Sequence, residues 1–308
     1  MYRILLAEGL DQDAETRLAA AATVVRAPAA DEGTLRGLVV DCDALVARTH
    51  ARVTRGVLSA GQRLRVVGVA GVGVDCVDVE AAGELGITVV NTPAATSDAV
   101  ADFTLTLMLH LLRPVAHLAA AYKAGEFRAA RARPHGVELG ELTVGIVGMG
   151  RIGSQVGRRC AAGFGARVLY NDIVDVGPFD FAAERVDKAA IWTQSNIITL
   201  HVPLTAQTRG LLGADVLAQF RPGALLINTA RGAVVDTAAL TAALESGHLG
   251  GAALDVTDPE PLPLEHPLLN CERCLVTPHV ASRTFGGVQR MFGVVDEVVA
   301  LLRSMPQR

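Results

Sequence analysis

The chain has 308 residues, is 50% hydrophobic and carries a formal net charge of −4. This length exceeds the usual size of one domain and supplies ample core material, so we expect two domains. The small negative charge gives no general reason to expect nucleic acid or an anionic membrane as a partner, and an anionic small molecule would need local positive charge.

The first third of the chain alternates short apolar runs with helical patterns. A repeated strand-helix order of this kind predicts a parallel sheet flanked by helices. The predicted strands are 2–6, 23–26, 44–47, 64–69 and 87–90, and the predicted helices are 13–22, 31–39, 54–60 and 77–85.

A long apolar helix is predicted over 97–112, after the Asn-Thr-Pro sequence that ends at Pro93, and it suits a connector between domains. Charged and proline residues interrupt 100–122, so we expect a buried or interfacial helix and no membrane span. The arginine-rich stretch 123–140 contains Pro134 and Gly136 and predicts a surface loop or linker.

A second strand-helix series follows, with six predicted strands at 144–148, 167–171, 197–201, 224–228, 251–256 and 274–277. Six strands are the usual complement of a dinucleotide-binding domain. The remaining helix, over 284–302, is expected to pack back on the first domain. We therefore predict a discontinuous substrate domain, 1–96 with 284–308, and a dinucleotide-binding domain over 97–283.

A glycine-rich turn follows the strand at 144–147. Gly148 permits a tight turn, Gly150 lets the backbone approach a pyrophosphate, and Gly153 allows close packing of the next helix. Asp172 ends the second strand, about 20 residues further on, where an acid binds the ribose hydroxyls. Its charge repels a 2′-phosphate and so favours NAD over NADP, although Arg167 and nearby loops leave NADP as an alternative.

Three side chains at later strand ends suit hydride transfer to or from a hydroxy acid. Arg231 offers a planar fork for a carboxylate, His279 can exchange the hydroxyl proton, and Glu260 can orient and stabilise the charged imidazole. Taken singly, each residue also has an ordinary explanation, as a surface ion pair, a solvated loop acid or a hydrogen-bonded strand end.

With these motifs on nearly the whole chain, the sequence resembles the D-isomer-specific 2-hydroxyacid dehydrogenase family, and within it the D-3-phosphoglycerate dehydrogenase branch, in a short form without a C-terminal regulatory domain. The resemblance implies two doubly wound parallel-sheet α/β domains, a Rossmann NAD-binding domain and a flavodoxin-like substrate domain, with a cleft between them. The matching segments are 69–75, 91–93, 148–153, 201–205, 228–236, 253–261 and 277–279 with Ser282.

The resemblance also implies roles for individual residues. Arg231 would bind the substrate carboxylate and carbonyl, with His279 as acid-base residue and Glu260 as its partner. The backbone around Val72 and Gly73 would meet the substrate, and the helix over 100–112 would build a homodimer. The implied cofactor contacts, in addition to the glycines and Asp172, are Arg151, Ile152, Val202, Pro203, Thr229, Ala230, Asp255 and Ser282.

Two departures concern the substrate. Phosphoglycerate-type members usually have arginine at the position of Val69 and asparagine at that of Cys76, so a phosphate-binding cation is missing there. Arg48 and Arg52 can supply positive charge from the first domain or can be solvated loop residues. The sequence thus predicts an NAD-dependent enzyme for a small D-2-hydroxy acid or its keto acid, and leaves a phosphonate-type substrate or a non-catalytic, corepressor-like NAD sensor as alternatives.

Five cysteines, an odd number, argue against a disulfide framework, and the N-terminus lacks the pattern of a secretory signal. We therefore expect a cytoplasmic protein. Cys271 and Cys274 have metal-like spacing, but no second pair accompanies them and they lead into a strand. We interpret the pair as structural, with zinc binding or a redox role as the alternatives, and expect no metal site.

Overall fold

The computed structural model describes residues 1–48 and 50–306, and it divides into two compact units, Met1–Thr96 with Ser282–Arg308, and Ser97–Ala281. Each unit is built on one parallel sheet, of five strands in the first and seven in the second. The prediction of two parallel-sheet α/β domains is confirmed.

The first unit begins with a regular alternation of strands and helices. The sheet order is β2-β1-β3-β4-β5, the flavodoxin-like order. The elements are β1 Tyr2–Leu6, α1 Gln12–Ala21, β2 Ala22–Arg26, α2 Glu32–Leu38, β3 Ala44–Ala47, α3 Arg55–Ala60, β4 Val66–Val69, α4 Val79–Glu84 and β5 Thr88–Asn91.

Short polar side chains begin the four helices of this segment. Asp11, Asp31, Thr54 and Asp78 each accept a hydrogen bond from a backbone N–H in the first turn of the helix that follows. Such caps satisfy amides that have no partner inside a helix. The strand-to-helix transitions of this unit are therefore encoded locally.

The second unit starts with α5 and contains a sheet of order β12-β11-β10-β9-β6-β7-β8. Counted from β6 as the first strand, this is the 3-2-1-4-5-6 order of dinucleotide-binding sheets with one further edge strand. The elements are α5 Ser97–Leu112, α6 Val115–Lys123, α7 Phe127–Arg131, β6 Thr143–Val147, α8 Arg151–Arg158, β7 Arg167–Asn171, β8 Glu184–Arg185, α9 Lys188–Gln194, β9 Ile197–Leu200, α10 Ala214–Leu217, β10 Leu225–Asn228, α11 Thr237–Glu245, β11 Gly251–Leu254 and β12 Cys274–Val276.

The chain then returns to the first unit with α12 Phe285–Phe292 and α13 Val294–Ser304. The single helix predicted over 284–302 is wrong in this respect, because the helix breaks at Gly293. On β4, a Cβ at Gly68 would meet Val298 at 2.5 Å, so this glycine leaves the space into which α13 packs. The last helix therefore completes the core of the first unit.

Both sheets are buried on both faces, as parallel sheets usually are. On β1, Ile4 and Leu6 pack with α1 and α13, whereas Leu5 faces the opposite cluster, which includes residues of α2, α3 and α4. In the second unit, Val144 and Ile146 of β6 pack with α5 and α8, and Val147 faces the cluster of α9 and α11. This alternation is the two-residue period of a strand.

Two further segments differ from the prediction. The sequence predicts a loop over 123–140, but this stretch contains α7, where Phe127 makes an edge-to-face contact with Tyr122 at a centroid distance of 5.7 Å. The expected six strands are seven, because Glu184 and Arg185 pair with β7. Two exposed charged residues have no apolar pattern, so a sequence-based assignment missed this strand.

Within the described residues, no single helix is long and apolar enough to cross a membrane. Taken together, α5 and α6 have the length and composition of a membrane span, but the two helices are bent by 54° relative to each other. Much of α5 is used inside its own unit, where Ala101, Thr104 and Met108 are fully buried.

Candidate functional site

The glycine-rich turn lies between β6 and α8, at the point where the strand order of the second sheet reverses. Gly148 has φ 91°, a left-handed conformation that strains other residues, and its N–H donates to the Asn171 carbonyl at 2.8 Å. A Cβ on Gly153 would collide with the Gly148 carbonyl oxygen, whereas a Cβ on Gly150 would have no protein atom within 4 Å. Two glycines are thus required by the fold, and the third faces open space.

The N-terminus of α8 is suited to an anion. Gly150 occupies the cap position and no side chain of the described residues caps the helix, whereas Asp187 and Asp236 cap α9 and α11 in the same unit. The first amides of a helix have no intrahelical partner, and the helix dipole favours negative charge there. The amides of Arg151 and Ile152 belong to this first turn, so the residues present fit a pyrophosphate.

Asp172 follows β7 and is tied to the glycine-rich turn. Its carboxylate accepts hydrogen bonds from the N–H of Met149 at 2.7 Å and of Val174 at 3.1 Å. A carboxylate has about four lone-pair positions, so capacity remains for ribose hydroxyls. Arg167 is the cation because of which NADP remains an alternative cofactor. It forms a salt bridge with Glu184 at 2.8 Å.

His279 and Glu260 form a direct pair. Nδ1 of His279 lies 2.7 Å from Oε1 of Glu260, and the side chains are 29% and 37% exposed. The other oxygen of Glu260 accepts the N–H of Thr257 at 3.3 Å, which fixes the carboxylate over the loop after β11. With Nδ1 donating to the carboxylate, Nε2 of His279 is the ring nitrogen left for a substrate proton.

A buried carboxylate shapes the turn that presents His279. Asp255 is 1% exposed and accepts hydrogen bonds from the Thr277 hydroxyl at 2.6 Å, the Val280 N–H at 2.9 Å and the Ala281 N–H at 2.8 Å. The N–H of His279 donates to the Asp255 carbonyl at 2.9 Å. These bonds stabilise His279 at φ 55°, an uncommon conformation for a residue other than glycine.

Arg231 follows β10 on a turn that Asn228 folds. The Asn228 side chain donates to the Arg231 carbonyl at 2.9 Å and accepts from the Ala230 N–H at 3.0 Å. The Arg231 guanidinium donates to the Ala230 carbonyl at 2.7 Å. Gly232 packs against the backbone of Thr257, so the loops after β10 and β11 touch.

The three candidate catalytic residues thus follow the neighbouring strands β10, β11 and β12, whose carboxyl ends share one edge of the sheet. The structure brings Glu260 and His279 into contact and places the Arg231 turn on the adjoining loop.

Further candidate cofactor residues follow β9 and β10. Val202 and Pro203 come after His201, whose Nε2 lies 3.0 Å from the Thr199 hydroxyl. Burial lowers the pKa of His201 to about 3, so its imidazole is neutral near pH 7. The Thr229 hydroxyl lies 3.0 Å from that of Thr104, a fully buried residue of α5.

Sequence reasoning missed the supporting roles of Asn228, Thr104 and Thr277. For Asn228 and Thr277 a signal exists, because each is polar and stands at or just beyond the end of an apolar strand. Thr104 is a polar residue inside an apolar helix, a weaker signal, because its partner at position 229 is remote in sequence.

The remaining candidates, Arg48, Val72, Gly73 and Ser282, lie in the first unit. Arg48 follows β3, donates to the Gly9 carbonyl at 3.1 Å and lies over the Phe292 ring at 5.5 Å. Burial, and next the positive charge of Arg283, lower the pKa of Arg48, while Glu8 opposes them. Arg52, by contrast, is exposed.

Val69, the last residue of β4, bears on the substrate. It is 1% exposed and packs in the apolar core of the first unit, so this position supplies no charged group. Among the described residues, no group of three or more His, Cys, Asp or Glu side chains is placed to hold a metal ion.

Comparison with known proteins gives consistent matches. A profile described as "D-isomer specific 2-hydroxyacid dehydrogenase, NAD binding domain" matches residues 105–281. The D-3-phosphoglycerate dehydrogenase of Methanocaldococcus jannaschii is 40% identical over 287 residues, which cover 92% of this chain and 54% of that protein. A glyoxylate reductase of Korarchaeum cryptofilum is 38% identical over 263 residues, covering 84% and 79% respectively.

Solved structures match over the whole length. A glyoxylate reductase from Paecilomyes thermophila has a TM-score of 0.88 and 30% identity, covering 98% of this chain and 96% of that chain. The chain spans about half the length of the curated phosphoglycerate dehydrogenases that it matches, with shares of 54%, 50% and 45%.

Proposed function

The chain belongs to the D-isomer specific 2-hydroxyacid dehydrogenase family, and on that premise we propose that it interconverts a small D-2-hydroxy acid and its 2-keto acid with NAD as the redox partner. The observation that carries the proposal is the pair of His279 and Glu260, with 2.7 Å between Nδ1 and Oε1, in the same unit as the glycine-rich turn. An acid-base pair and a dinucleotide turn together are what this reaction requires of a protein.

In the proposed complex, the amides of Arg151 and Ile152 hold the pyrophosphate and Asp172 binds the ribose hydroxyls. When bound, the dinucleotide supplies the two-electron redox chemistry. The open space at Gly150 and the uncapped start of α8 support this placement. The residues proposed to line the remainder of the cofactor are Gly148, Gly153, Val202, Pro203, Thr229, Ala230, Asp255 and Ser282.

His279 is proposed to move the proton of the substrate hydroxyl. In the oxidation of the hydroxy acid, neutral Nε2 accepts this proton while Nδ1–H donates to Glu260. In the reduction of the keto acid, the imidazolium returns the proton to the new hydroxyl oxygen. The carboxylate of Glu260, 2.7 Å away, stabilises the imidazolium in both directions.

Arg231 is proposed to bind the substrate carboxylate through its planar guanidinium. We further propose that Arg48 and the backbone of Val72 and Gly73 contact the substrate. The apolar, buried Val69 supports a small hydroxy acid over phosphoglycerate, because it supplies no cation for a phosphate group.

A substrate screen tests the proposal. NADH oxidation is measured with glyoxylate, pyruvate, hydroxypyruvate, phosphohydroxypyruvate, 2-oxoglutarate and phosphonate analogues, and is repeated with NADPH. We expect turnover of at least one small 2-keto acid with NADH, abolished in His279→Ala with NADH binding retained. His248→Ala, a histidine bonded to the Leu217 carbonyl, is the control. Turnover of a phosphonate alone, or NADH binding without turnover of any compound, would contradict the proposal.

Two expectations accompany this function. We propose a homodimer, supported by the apolar residues Val115, Tyr122 and Phe127, which are 66%, 67% and 51% exposed on α6 and α7 directly after the predicted interface helix. Light scattering coupled to gel filtration measures the mass. We also propose a cytoplasmic location, supported by the odd number of cysteines, five, which argues against a disulfide framework.

A further inference from the structure

The turn that leads into β12 carries two thiols at its first and last positions. The N–H of Cys274 donates to the carbonyl of Cys271 at 2.8 Å, which closes the turn. In such a turn the first and last Cα atoms lie within about 7 Å. Disulfides join Cα atoms roughly 4.4 to 6.8 Å apart. The backbone therefore already holds the two cysteines near the separation of a disulfide.

The two side chains also share one environment. Cys271 and Cys274 both pack against the apolar cluster on the face of the sheet that includes Leu244 and Leu268, and both are partly exposed. Burial, and next the charge of the Cys271 thiolate, raise the pKa of Cys274 to about 12. Arg273, between them, is anchored by a hydrogen bond to the Leu244 carbonyl at 2.7 Å.

We propose that Cys271 and Cys274 are a dithiol site that small-molecule disulfides convert reversibly into an intramolecular disulfide. The sequence predicts a structural role for the two cysteines, and the geometry of the turn adds a redox role to it. The site lies in the turn before the edge strand β12 and on its first residue, outside the residues proposed for catalysis, and the strand leads directly into the turn of His279.

The reaction proceeds by two exchanges. Cys271, after losing its proton to solvent, attacks one sulfur of the small disulfide; a Cys271 mixed disulfide forms and one small thiol leaves. Cys274 then loses its proton and attacks the Cys271 sulfur, so the protein disulfide forms and the second small thiol leaves. The two cysteines are oxidised and the small disulfide is reduced to two thiols. In the mixed disulfide the sulfur of Cys271 carries no negative charge. It therefore no longer opposes the deprotonation of Cys274.

Mass spectrometry of the full chain tests the site. The reduced protein is incubated with oxidised glutathione and, separately, with phenylarsine oxide, a probe for paired thiols. We expect the loss of two hydrogen atoms without a retained glutathione, a peptide linked between positions 271 and 274, and recovery of the original mass with dithiothreitol. One arsenical should bind per chain at the same two residues.

Serine variants separate the roles of the thiols. Cys271→Ser and Cys274→Ser should each abolish the internal disulfide and arsenical binding, and Cys274→Ser should retain glutathione on Cys271. Cys76→Ser is the matched control, since Cys76 is the other partly exposed cysteine, and it should behave as wild type. Circular dichroism shows whether each variant is folded. The peptide map of the wild-type protein tests the disulfide without any substitution.

Three results would overturn the proposal. They are a glutathione adduct that stays on wild-type Cys271, a disulfide between two chains in place of the internal one, and reaction of Cys76 with oxidised glutathione while positions 271 and 274 remain reduced.

Discussion

Replacing Glu260 with glutamine tests how much the negative charge beside His279 contributes. The glutamine carbonyl oxygen can still accept the hydrogen bond from Nδ1 of His279, now 2.7 Å from Oε1, so the ring keeps its orientation. What is lost is the attraction between the carboxylate and the imidazolium. We therefore expect slower turnover with unchanged NADH binding.

The magnitude follows from the geometry. Unit charges 2.7 Å apart attract by about 1.5 kcal/mol at a water-like dielectric constant of roughly 80, and by about 3 kcal/mol at roughly 40. The side chains are 29% and 37% exposed, so solvent screening favours the lower figure. With about 1.4 kcal/mol per factor of ten, kcat should fall by about 10-fold and by no more than about 150-fold.

The assay is steady-state NADH oxidation with the best keto acid of the screen, together with an NADH titration by fluorescence. Glu265→Gln is the control, because Glu265 is an exposed acid on the same loop. The reasoning is refuted if Glu260→Gln turns over as fast as wild type, or if Glu265→Gln loses as much activity.

Three further predictions concern the cofactor site and stability. Gly150→Ala should weaken NADH binding without changing the melting temperature, because its Cβ meets no protein atom. Gly153→Ala should lower the free energy of unfolding by about 1–3 kcal/mol, because its Cβ collides with the Gly148 carbonyl. Equal shifts of the melting temperature in the two variants would contradict this. Asp172→Ala should raise the NADPH to NADH ratio of kcat/KM by about tenfold, since one repulsive charge is removed, and an unchanged ratio would count against that role. His201, with its pKa lowered from 6.5 to about 3, contributes stability above pH 6.5 that is lost as the pH falls towards 3, at up to about 1.4 kcal/mol per pH unit. Urea unfolding at several pH values should therefore show a shallower decline for His201→Gln than for wild type, and parallel declines would exclude this effect.

Much of the fold was readable because its signals are local. Apolar runs that alternate with helical patterns marked the strands of both sheets. The structure adds that aspartate or threonine side chains cap four of the helix starts. The errors arose where the local signal is weak. β8 has two charged residues, α7 lies in an arginine-rich segment, and Gly293 interrupts the last helix although the apolar pattern continues across it.

For the candidate site, the sequence indicated residue types at strand ends, because parallel strands bring their carboxyl ends to one edge. It did not indicate which polar groups would be buried as supports. Asn228 folds the Arg231 turn through hydrogen bonds within that turn. Asp255 folds the His279 turn through hydrogen bonds to residues that follow the neighbouring strand β12. The cofactor and substrate roles of these residues remain predictions for the experiments above.

The sequence by itself determined the parallel α/β class, the glycine-rich turn and the family, because these depend on spacing and periodicity within short segments. The sequence also predicted Glu260 as the partner of His279, and the structure gives the contact its distance of 2.7 Å. Only the tertiary structure decided that Asp255 is 1% exposed inside the turn. It also decided that Cys271 and Cys274 face one apolar cluster. Strand neighbours and burial depend on how distant segments pack, and no local pattern carries that information.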